Sequence, residues 1–67
     1  MAWVATDRDG GEFIFNDRPL RRESMGEWWA DSENTTGDMV LLPDGTIEKL
    51  IGRQLTWEDE PVELYNS

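Results

Sequence analysis

The sequence predicts a small α+β domain, mostly β, built as an antiparallel meander of four or five short strands with one short helix near residues 45–51. Three observations lead there. Short runs rich in Val, Ile, Phe and Trp are separated by Gly, Asp, Asn and Pro, which is the punctuation of short strands and tight turns. Only one segment, Thr46–Ile51, places apolar residues at i, i+3 and i+4 (Ile47, Leu50 and Ile51), a single helical stripe. Four Trp, two Phe and one Tyr in 67 residues, with no Cys, make aromatic burial the main source of stability. An SH3-like partial barrel is one shape that meets these constraints. A chain this short supports one core, so residues 1–67 are read as a single domain.

Ala2–Thr6 and residues 12–16 read as the arms of a hairpin. Asp7-Arg8-Asp9-Gly10-Gly11 between them supplies the glycines that a tight reversal needs. Trp3 and Ala5 share one strand face and Val4 takes the other. Phe13 and Phe15 likewise oppose Ile14, so the sheet is expected to be covered on both sides. Pro19 breaks the second strand and leaves Leu20–Arg22 extended or at an edge. Residues 23–26 form a turn, and Trp28-Trp29-Ala30 a third strand that sends one indole inward and the other toward solvent. Residues 32–37, SENTTG, carry no apolar anchor and read as loop. A further strand is expected over residues 38–42.

Pro43-Asp44-Gly45 leaves two options. It either closes a hairpin onto residues 46–51 or lets Asp44 cap a helix that ends at Gly52, with Lys49 and Arg53 near the negative end of its dipole. The helix is the favoured reading. It places Leu50 in the core, where truncation to Ala costs ~2–5 kcal/mol, whereas a strand turns Leu50 away. Residues 53–57 then read as a strand, 58–61 as a corner and 62–65 as a last strand. The expected core is Trp3, Phe13, Phe15, one of Trp28 and Trp29, Val40, Leu42, Ile47, Leu50, Leu55, Trp57 and Val62.

The formal net charge of −9 combines 15 acidic and 6 basic groups. Residues 23–48 hold Glu23, Glu27, Asp31, Glu33, Asp38, Asp44 and Glu48 without a Lys or Arg, and Glu58, Asp59, Glu60 and Glu63 follow unopposed in the sequence. Such a surface repels phosphates, which argues against direct nucleic-acid binding and against adhesion to an anionic membrane. No basic-then-apolar leader is visible. The longest apolar run, residues 39–43, is far short of the ~18 residues of a spanning helix. The absence of Cys leans toward the cytoplasm.

The opening Trp3-Val4-Ala5 with Asp7-Arg8-Asp9-Gly10, the aromatic run at 13–15, Arg18-Pro19-Leu20-Arg21, a Trp at 28 or 29, and the closing Trp57-Glu58-Asp59-Glu60-Pro61-Val62-Glu63-Leu64 come in a suggestive order. In that order the chain resembles a group of short bacterial and phage proteins of unassigned function, with a gap over residues 31–37. The resemblance implies a phage or mobile-element origin. It supplies no catalytic residues.

The residues offer little chemistry. There is no His to serve as a base near neutral pH or as a zinc ligand. A glycosidase pair needs two carboxylates ~5–10 Å apart across a cleft, which a chain of this size can hardly build. Asp7 to Glu12 superficially resembles a calcium loop. Counted from Asp7, however, Gly10 and Gly11 fall where ligands or spacers belong, and Arg18 stands where the bidentate Glu is required. No catalytic, cofactor-binding or metal-ligating residue is assigned, and no cofactor is expected. The candidate binding residues are Arg21, Arg22, Trp28 and Trp29, since Trp and Arg dominate interface hot spots. The plainer reading of the same residues is one Trp in the core and the other packed under an arginine. The functional expectation is a non-enzymatic phage-like accessory protein that binds another protein or self-associates. The alternative is an acidic DNA-mimic inhibitor of a host nucleic-acid-binding protein, steered by charge to a basic groove.

Overall fold

The computed structural model describes residues 2–30 and 39–65. In chain order the elements are β1 (Ala2–Thr6), β2 (Glu12–Phe15), β3 (Leu20–Arg22), β4 (Glu27–Trp29), β5 (Met39–Leu42), α1 (Thr46–Ile51) and β6 (Val62–Leu64). The chain is α+β and mostly β, as expected, with six short strands among the described residues where four or five were expected. Four of them form an antiparallel sheet in the order β5-β2-β1-β6, and β3 and β4 form a separate antiparallel pair. The sheet is open, not closed into a barrel. The SENTTG stretch and Asp38 lie outside the described residues.

The β1–β2 hairpin pairs Trp3 with Phe15, Val4 with Ile14 and Ala5 with Phe13. Gly10, at φ 94°, makes the reversal, and the Asp9 carboxylate accepts the Gly11 N–H at 2.9 Å. Directly paired residues share a sheet face, so the register sorts the side chains into two layers. On one side Val4 is buried with Ile47 of α1 and Leu55, and Ile14, Leu42, Ile51, Val62 and Leu64 pack around them. On the other side Ala5, Phe15 and Trp28 are buried, ringed by Trp3, Phe13, Ala30 and Trp57. At β1 and β2 the sheet is covered on both faces, as the apolar pattern of those strands requires.

The helix forms where the stripe predicts it and closes at Gly52, whose N–H donates to the Glu48 carbonyl at φ 82°. Its start differs from expectation. Asp44 does not cap it; the cap position is Gly45, in the left-handed region and without a side-chain bond. Glu12 of β2 does the work from across the fold, its two carboxylate oxygens accepting the Gly45 and Ile47 N–H groups at 2.8 Å each. A free amide at a helix start needs an acceptor, and a carboxylate there also meets the positive end of the dipole.

Three further expectations are corrected. Leu50 is 52% exposed within the helix, because the stripe is narrow and only Ile47 is buried. Val40 is 57% exposed, since β5 lies at the edge of the sheet among the described residues. Residues 53–57 are not a strand. Leu55 and Trp57 would share a face in a strand, yet Leu55 joins the helix-side cluster and Trp57 the opposite one. The segment therefore carries the chain from one side of the sheet to the other, which a straight strand cannot do.

Candidate functional site: the tryptophan hairpin

The candidate residues converge on β3 and β4. The turn between them is closed by Arg22, whose carbonyl accepts the Met25 and Gly26 N–H groups at 3.1 and 2.9 Å. Gly26 has φ 67°, a conformation that favours glycine, and a Cβ there would crowd Arg8 Cβ at 3.1 Å. The pairing sets Leu20 opposite Trp29, Arg21 opposite Trp28 and Arg22 opposite Glu27. Period-2 alternation then puts Arg21 and Trp28 on the inner face and Leu20, Arg22, Glu27 and Trp29 on the outer face.

The inner face is fastened down. Trp28 is 3% exposed. Its backbone N–H donates to Asp7 Oδ1 and its indole Nε1–H to the Thr6 carbonyl, both at 2.9 Å. The Arg8 N–H donates to the Gly26 carbonyl at 2.9 Å, a third tie between the hairpin and the end of β1. Burial pushes the Asp7 carboxyl above the ordinary 3.8; the Trp28 N–H pulls the other way, and the Asp9 and Glu27 charges add to the rise. The Trp28 and Trp57 rings meet at 5.6 Å and 59°, a tilted contact. Arg21 lies over both, 4.7 Å from the Trp28 ring and 5.0 Å from the Trp57 ring. Arg21 also donates to the Asp59 carbonyl at 3.2 Å and stands 3.6 Å from Glu60. Arg21 Nε is buried with no hydrogen-bond partner among the described residues, and the guanidinium rests against the two rings.

The outer face keeps its groups in the open. Trp29 is 40% exposed beside an exposed Leu20. It is nonetheless held: Arg22 lies 4.4 Å above its ring, and its Nε1–H donates to Glu27 Oε1 at 3.3 Å. Met25, also exposed, stands at the hairpin turn. A cleft of about 220 Å³ opens there, lined by Arg8, Asp9, Met25, Gly26 and Glu27. It falls below the ~300–1,000 Å³ of small-molecule pockets and lacks their apolar lining.

Of the four candidates, the structure places Arg21 and Trp28 inside and Arg22 and Trp29 outside. Residues the sequence reading left out complete the arrangement. Arg8 stands over Trp57 at 5.2 Å and Arg18 over Trp3 at 5.1 Å. All four Trp therefore lie under an arginine. Five such contacts among the described residues mark the arginines as structural partners of the indoles. The signal in the sequence was the excess of Arg over Lys, five to one, since guanidinium stacks on rings better than ammonium does.

The acidic corner, unopposed in the sequence, is opposed in space. Glu60 pairs with Arg18 at 3.0 Å, and Asp59 approaches Arg53 at 4.0 Å. Asp59 also accepts the Thr56 N–H at 2.9 Å, and the two Thr56 hydrogen bonds hold its carboxyl below 3.8. Among the described residues no group of three or more carboxylates is placed to hold a metal ion, and no helix is long and apolar enough to cross a membrane. Comparison with protein-family models, curated proteins and solved structures finds no match.

Proposed function

We propose that this chain is a non-enzymatic accessory protein that binds another protein through the outer face of the β3–β4 hairpin. The observation that carries this reading is Trp29. It is a large indole left in solvent, yet fixed by Arg22 above its ring and Glu27 at its edge. A side chain already ordered loses little freedom on binding, which favours affinity. Leu20 extends the apolar patch, and the Arg22–Glu27 pair gives it a polar border, the anatomy of an interface core and rim. The partner that fits is a protein presenting an apolar pocket for the indole, with polar groups around it.

The test compares wild type, Trp29→Ala and Leu20→Ala in affinity capture from a bacterial lysate at low and at high salt, with circular dichroism as the check on folding. The expected result is a protein retained through high salt and lost from both folded variants. Capture that survives Trp29→Ala overturns the assignment of this face. Capture confined to low salt, and insensitive to Trp29, points to the acidic surface instead, because screened charges lose their reach as ionic strength rises.

A further inference from the structure

Among the described residues nothing guards the outer edge of β5. Edge strands are normally blunted by lysine, proline, a bulge or a covering element. Met39–Leu42 itself contains no charge and no proline, although Pro43 follows it directly, and its register with β2 runs unbroken from Phe15↔Met39 to Glu12↔Leu42. Leu41 is 65% exposed on the aromatic side of the sheet, with Met39 beside it, and Val40 is exposed on the helix side. Among the described residues no strand pairs with that edge. The opposite edge differs: β6 carries Glu63 at its centre and has no fully exposed residue.

We propose that the β5 edge accepts an extended segment of a partner protein as a fifth strand, apolar at alternate positions and carrying Lys or Arg at its ends. Main-chain hydrogen bonds to the outer edge of β5 would supply affinity. Met39 and Leu41 on one face, and Val40 and Leu42 on the other, would select the side chains. Charge decides the occupant. A second copy brings another −9 to a chain already at −9. It would also meet the strand end next to Asp44 with no free lysine or arginine from its own β5. A segment with basic ends is instead attracted to the whole molecule and to Asp44 in particular. This surface is separate from the outer face of the hairpin and independent of the reading given for it.

The experiment uses two labelled peptides, Lys-Lys-Val-Thr-Val-Thr-Val-Lys and its twin with Glu for every Lys, in fluorescence anisotropy against the full chain. The expected result is saturable binding of the basic peptide, at least about tenfold tighter than the acidic twin, or ~1.4 kcal/mol. Amide exchange at residues 39–42 should slow when the basic peptide is bound. Val40→Lys, and separately Leu41→Lys on the other face, should weaken it about tenfold or more. Both positions are exposed, so both variants should keep the wild-type circular dichroism. Absence of binding, equal binding of the two peptides, indifference to both variants, or light scattering that shows a dimer abolished by Val40→Lys would each overturn the proposal.

Discussion

The two sides of the four-stranded sheet are covered by opposite means. On the helix side the cover is aliphatic: Ile47 and Leu55 settle on Val4, and α1 brings one buried residue. On the other side the cover is aromatic and cationic: Trp28 and Trp57 close over Ala5 and Phe15 beneath a row of arginines. An aliphatic layer presents nothing specific to solvent. A tryptophan hairpin has a second face, and there the same residue types, Trp29 and Arg22, are available to a partner. Adjacent indoles in one strand are thus divided between core and surface, and in the proposed reading the outer one is left for recognition.

That division can be broken most forcefully at Trp28. Trp28→Ala should destabilise the chain by about 3–5 kcal/mol, since it empties the aromatic layer and removes the indole hydrogen bond to the Thr6 carbonyl, while the backbone bond to Asp7 can remain. Urea unfolding followed by circular dichroism reads this directly, and a loss under about 1 kcal/mol would contradict the aromatic layer as a core. Ile47→Ala tests the aliphatic side by the same assay, with an expected loss of about 2–4 kcal/mol.

Glu12→Ala should cost about 2–3 kcal/mol, because two helix-start amides lose a charged acceptor. Glu12→Gln keeps one carbonyl oxygen and should recover part of that loss. A neutral result for Glu12→Ala would mean that water caps the helix equally well.

The seam between the layers is sharpened by pH. Asp7 holds its proton to a higher pH in the folded chain than in the unfolded one, where it titrates near 3.8. The folded state therefore binds more protons in the range just above 3.8, and the Asp7 contribution falls as pH rises through it. Asp7→Asn keeps an acceptor for the Trp28 N–H and should flatten that fall, leaving the variant at least as stable as wild type at neutral pH. Asp59 has the opposite sign: its contribution is present above 3.8 and lost as pH drops through its lowered value. Chemical denaturation of wild type, Asp7→Asn and Asp59→Asn across acidic pH separates the two slopes.

The smallest effects belong to the exposed apolar residues. Trp29→Ala and Leu50→Ala should each change stability by less than about 1 kcal/mol. For Trp29 this contrast with Trp28 is the sharpest statement of the division. For Leu50 it means that a small loss accompanies a helix rather than arguing against one.

What the sequence made legible was local. The β1–β2 hairpin, the extended Leu20–Arg22, the turn at 23–26, the helix with its Gly52 stop and the last strand each declare themselves through residues close together in the chain. The inward-and-outward split of Trp28 and Trp29 follows from strand alternation alone. What stayed hidden was long-range. No pattern within β2 announces that Glu12 caps a helix starting more than thirty residues later, or that Arg8 and Arg18 seek Trp57 and Trp3. The misreading of residues 53–57 has the same origin. Leu55 and Trp57 are spaced as strand neighbours, and only the tertiary fold reveals that they serve different layers.

The Glu12 cap has a consequence for how the chain folds. Six residues are too few for a helix to persist in water, where isolated helices below ~12–15 residues are marginal. Here the acceptor that completes the first turn belongs to a strand, so α1 has no nucleus of its own until β2 is in place. Helix and sheet form one cooperative unit. Loss of β2 pairing strips the helix of its cap at the same moment, and the amides of α1 should exchange with solvent at the rate of global opening rather than by fraying alone. A segment that looks self-sufficient on paper is conditional on the sheet it covers.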